Sequence, residues 1–193
     1  MHRIFSMCLD AAIAAVVLVP LFVLLDRSYF HNRKHTACYF LLAVYLSGVF
    51  AIVGLPDIRY IRFDFNHNFV PLRYMFSDFR SSFLNVLLFV PLGIFLPVFW
   101  KKFKQLHWML LFGLCTSLLI ELLQIFTFRA TDINDLMTNT FGTFLGWCAA
   151  RILLRLVPGI VPSEKTQEVY VVCGATFAVM FFVQPFLAEW LFL

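Results

Sequence analysis

The chain has 193 residues, of which 62% are hydrophobic and 13% charged, with a mean hydropathy of +0.86 and a formal net charge of +4. A water-soluble domain is about half apolar and a quarter charged, so this composition excludes one and makes lipid the solvent. The length leaves no room for a separate catalytic domain, and the cations form no clustered basic face of the kind nucleic acid requires.

A membrane-crossing helix needs roughly 20 mostly apolar residues, and six such stretches follow one another along the chain. They run over about 4–25, 36–55, 83–100, 105–128, 133–154 and 169–192. The expected fold is all-α, a polytopic transmembrane helical bundle of about six spans, or five if one fails to cross. Short loops join them, and residues 1–193 form a single membrane-embedded domain. The first stretch is too long and carries Asp10, which argues against a signal peptide. The five cysteines, Cys8, Cys38, Cys115, Cys148 and Cys173, are scattered and read as small packing residues. Pro91, Pro97 and Pro185 fall inside spans and are expected to kink or break them.

Loops after the first, third and fifth spans hold nine Lys and Arg residues; the opposite side holds six. The positive-inside rule then places the nine in the cytoplasm and both termini outside. The one sizeable connection, residues 55–82, is rich in aromatic and charged side chains and is broken by Pro56 and Pro71. It reads either as an interfacial loop or as a cap folded over a site between helices.

Polar residues concentrate from the third span to the fifth. Glu121 and Gln124 lie three apart in the fourth span and share a helix face. A carboxylate in an apolar span is costly unless paired or wet, which marks it as functional or as a lock between helices. Arg129 precedes Asp132, Asp135 and Asn139, whose spacing puts the three on one face of a helix starting near Asp132. An N-cap and first-turn acid explain one of them. Asn85 opens the third span. With alternating spans, Asn85, Glu121, Gln124, Arg129, Asp132, Asp135 and Asn139 meet at one membrane face as a candidate ligand-binding pocket. No metal is assigned. Asp132 and Asp135 are weak candidates, and their oxygens would suit Mg²⁺ or Ca²⁺. Gly142 and Gly146 form a G-x-x-x-G, which admits a close helix neighbour.

Three runs together resemble the VanZ-like family of bacterial membrane proteins. They are Asn85-Val-Leu-Leu-Phe-Val-Pro-Leu-Gly93, Ile120-Glu-Leu-Leu-Gln-Ile-Phe126 and Arg129-x-x-Asp132-x-x-Asp135-x-x-x-Asn139-x-x-Gly142. A looser fourth, Asn68-Phe-Val-Pro71-Leu-Arg73, precedes them, and the likeness covers about 66–150. The resemblance implies a bacterial plasma-membrane protein that lowers susceptibility to the glycopeptide teicoplanin, with the seven polar residues on family motif positions. One reading is a non-enzymatic protein whose outward pocket binds a lipid-linked peptidoglycan precursor, another anionic headgroup or the glycopeptide itself. A second is a membrane enzyme on such a lipid, with Glu121 as acid or base and Asp132 and Asp135 holding Mg²⁺. The absence of a nucleophile–base pair counts against it. A third is a small transporter with Glu121 as proton site. The ligand and the oligomeric state are left open.

Overall fold

In hydrocarbon the only partner for most backbone N–H groups is a carbonyl of the same segment, so long apolar runs become helices. The computed structural model describes residues 2–59, 61, 63, 67–68, 79–127 and 131–192. Helix α1 spans His2–Leu25 and runs on into a π-helical turn, Asp26–Phe30. Helix α2 is Arg33–Val53. Helix α3 is Phe79–Phe99, followed by a 3₁₀ turn at Lys101–Lys104 and by α4, Leu106–Gln124. Helix α5 is Ile133–Leu156, and α6 is Gln167–Ala178. A second π turn, Val179–Val183, joins α6 to α7, Gln184–Phe192. Among the described residues the only strands are two residues long: β1 at His67–Asn68 and β2 at Thr131–Asp132.

Among the described residues, five stretches are long and apolar enough to cross a membrane: Cys8–Phe30, Arg33–Val53, Phe79–Phe99, Leu106–Gln124 and Gln167–Leu191. The expected all-helical, multi-pass architecture is therefore what the chain adopts. Helix α5 falls short on composition alone. Its 24 residues are about 36 Å long, but its buried face carries Asn134, Thr138, Asn139 and Thr143. Of the expected kinks or breaks, no break occurs at Pro91 or Pro97, because α3 continues through both. Pro20 likewise lies inside α1.

The chain divides into two compact units, Met1–Ile61 with Gln167–Leu193, and Arg62–Thr166. In the first, aromatic rings join α1 to α2: Phe22 meets Phe40 at 5.8 Å, and Phe30 meets Tyr39 at 5.1 Å. The turn between the helices closes with His31 in the left-handed region and Asn32 capping α2 through the N–H groups of Lys34 and His35. Gly54, with φ 66°, ends α2 and donates its N–H to Phe50. Two polar pairs cross this unit, the first buried and the second half-buried. Tyr39 donates to Glu168 at 2.6 Å, and Gln184 donates to Asp10 at 2.7 Å.

In the second unit α3 and α5 run parallel. A Cβ on Gly142 would sit 2.2 Å from the Val86 carbonyl oxygen, and one on Gly146 would sit 2.1 Å from that of Val90. The contacts ascend together along both helices, and Gly93 of α3 meets Gly146 in return. Helix α4 lies antiparallel to α5. Trp147 donates to the Lys104 carbonyl, Gly113 faces Thr143, and Asn139 reaches Ser117. At the end where α3 and α5 finish, Ser163 exchanges backbone bonds with Phe99 and Lys101 beside the fully buried Trp100. The opposite end, where both helices begin, carries the polar residues.

Candidate functional site

Helix α4 ends in a tightened turn in which Phe126 and Thr127 donate to carbonyls three residues back. The chain re-enters at β2, and Asp132 becomes the N-cap of α5, its Oδ1 accepting the Asn134 N–H at 2.9 Å. Glu121 closes the circuit: its Oε2 accepts the Asp132 main-chain N–H at 2.9 Å. That places a buried carboxylate, 4% exposed, beside the N-terminus of α5, where the helix dipole favours negative charge.

Asp135 turns to the other neighbour. Its Oδ1 accepts from Asn85 Nδ2 at 2.7 Å, linking the starts of α3 and α5. One turn deeper, Asn139 Nδ2 donates to Ser117 Oγ of α4 at 2.9 Å. Asn139 is 4% exposed, and no donor reaches its Oδ1 among the described residues. Gln124 is as deeply buried, one turn beyond Glu121.

Above this layer β1 pairs in parallel with β2, His67 opposite Thr131 and Asn68 opposite Asp132. The Phe63 ring packs on Phe126 at 5.9 Å. Part of the long connection therefore lies against the α4–α5 turn.

Of the seven residues singled out by sequence, Asn85, Glu121, Asp132 and Asp135 meet at one end of the α3–α4–α5 unit, and Asn139 continues inward from them. Gln124 is buried close by on α4. Arg129 lies outside the described residues, as does most of the 68–73 motif. Asp132, Asp135 and Asn139 serve three separate partners, so their common helix face is divided between a cap, α3 and α4. Among the described residues no three His, Cys, Asp or Glu side chains gather as a metal set.

Sequence reasoning passed over Ser117, Asn134 and Thr138, all buried here. Gly113, Ser117 and Glu121 recur every four residues on α4, and that stripe was the available signal.

A model of the VanZ/LLP1 family matches residues 11–154, about three quarters of the chain. The chain belongs to the VanZ/LLP1 family. Protein VanZ from Enterococcus faecium is 42% identical over 73 residues, which cover 36% of this chain and 44% of that protein. The chain thus aligns with less than half the length of this VanZ relative. No solved structure matches. The family match extends from α1 to the last turn of α5, so the polar end of α3–α4–α5 lies inside the VanZ/LLP1 region.

Proposed function

We propose that this chain lowers susceptibility to teicoplanin-type glycopeptides without catalysing a reaction, by binding the head of a lipid-linked peptidoglycan precursor. The observation that carries this reading is the surplus of carboxylates at the polar end of α3–α4–α5, where Glu121 is buried and Asp132 and Asp135 are half-buried. Capping α5 needs one acid, and Asp132 supplies it. Glu121 and Asp135 are additional, at the start of a helix and under a strand contributed by the long connection. Carboxylate and amide oxygens in that setting accept from the hydroxyl and N–H groups of a glycopeptide head. Arg129, three residues before Asp132 in sequence, is the group chemically suited to its diphosphate, because a guanidinium pairs with phosphate oxygens in a planar fork.

Glu121→Gln and Asp135→Asn test it, since each keeps an oxygen that can accept the observed hydrogen bond and removes only charge. Both variants should reach wild-type levels in membranes yet return cells to the teicoplanin susceptibility of cells lacking the chain. Full protection by both variants would defeat the proposal.

The reading also places the protein in the bacterial plasma membrane with both termini outside, which turns the polar end outward. In a cysteine-free background, a single Cys at Ser28 should resist an impermeant thiol reagent on whole cells, and one at Thr127 should react. The reverse result would put the pocket on the cytoplasmic side and remove its access to extracellular drug.

A further inference from the structure

The α1–α2 hairpin contains a second feature, separate from the polar end of α3–α4–α5. Val19, Phe22 and Val23 continue at helical spacing into Asp26 and Arg27, and on α2 Arg33 leads through Thr36 and Ala37 to Phe40 and Leu41. These two stripes line an open groove of about 610 Å³, within the ~300–1,000 Å³ usual for small-ligand sites. Its walls are apolar over some 6 Å of helix, taking about 1.5 Å per residue from Val19 to Val23. Its mouth is charged. Asp26 is already engaged, with Oδ1 accepting from the Thr36 hydroxyl at 2.6 Å and from the Asn32 N–H at 3.2 Å. Arg27 and Arg33 are exposed and make no ion pair or side-chain hydrogen bond among the described residues. With Lys34, the turn carries three cations against one carboxylate.

We propose that this groove seats one anionic phospholipid, its phosphate between Arg27 and Arg33 and an acyl chain along Val19, Phe22, Val23, Phe40 and Leu41. Exposed arginines at a membrane surface are ordinary, and by themselves attract anionic lipid without selecting a site. The difference here is an apolar cleft between two spans that opens directly beneath two uncommitted guanidiniums. Guanidinium forks match phosphate geometry, and basic pockets between transmembrane helices are where anionic headgroups lodge.

The test uses the full-length chain in detergent, titrated with phosphatidylglycerol or phosphatidylcholine of identical acyl chains, with bound lipid counted by native mass spectrometry. Wild type should prefer phosphatidylglycerol on the order of tenfold, as two interfacial cations would provide. Arg27→Gln with Arg33→Gln should abolish the preference. Ala37→Phe, at an exposed position on the groove wall, should abolish it too by filling the groove while leaving every charge in place. Melting temperatures without lipid establish that both variants are folded. If Ala37→Phe binds like wild type, the lipid is held by surface charge alone and the site is refuted. It is equally refuted if glycerol 3-phosphate, which has no tails, competes as well as the lipid does.

Discussion

Glu121 shows how one side chain can be both a structural tie and a candidate ligand group. Its carboxylate holds the N–H of Asp132, the residue that also caps α5 and pairs with Asn68. Glu121→Leu should therefore lower thermal stability in detergent, by about 1–3 kcal/mol for an orphaned buried donor. Glu121→Gln, which retains an acceptor, should melt close to wild type. Ser117→Ala makes a useful contrast. It deletes the acceptor of Asn139, and side-chain bonds between transmembrane helices average only ~0.6 kcal/mol, so its cost should be the smaller. Equal melting of all three variants would mean that Glu121 has no tethering role. Glu121 and Asp135 were legible in the sequence because a charge in an apolar run is conspicuous. Ser117 and Thr138 were not. Such residues sit comfortably in helices by bonding their own backbone, as Thr138 does with the Asn134 carbonyl, so their presence carries little signal. The Tyr39–Glu168 pair joins residues 129 apart in sequence, and no local pattern announces it.

Among elements, helix lengths and order were readable from hydrophobic run length, with ends within a few residues of the observed ones. The irregular pieces were not. Two-residue strands have no period to detect, the π turn at Val179–Val183 lies within an apolar run that looks uniformly helical, and the one at Asp26–Phe30 begins where charged residues read as a loop. The G-x-x-x-G of α5 marked close packing correctly but could not name its partner, which the structure identifies as the Val86 and Val90 carbonyls of α3. Gly146→Ala should force these backbones apart and cost about 1–3 kcal/mol. Gly48 and Gly174 have open space where a Cβ would go. Alanine at either should be neutral or stabilise its helix by up to ~1 kcal/mol. Melting temperatures of the three alanine variants decide the point, and a harmless Gly146→Ala would contradict the tight α3–α5 contact.

At the scale of the whole chain, alternation of spans was enough to place Asn85, the end of α4 and the start of α5 at one face. It could not reveal how much of the polar surface of α5 its neighbours cover. Asn134, Thr138 and Asn139 are buried inside the unit, so α5 is weakly apolar as an isolated segment yet well matched to α3 and α4. The parallel pairing of α3 with α5 therefore has a consequence during synthesis. The ribosome completes α3 at Phe99 and α5 at Leu156, an interval of roughly 3–11 s at ~5–20 residues per second. Through that interval Asn85 has no Asp135 to meet, and the glycine-lined surface of α5 does not yet exist. The last partner to emerge is also the least able to enter lipid unaided. A glycosylation-mapping reporter should find α5 poorly inserted when expressed alone and fully inserted when α3 and α4 precede it. Efficient solitary insertion would show that the bilayer, rather than the nascent partner helices, recruits it.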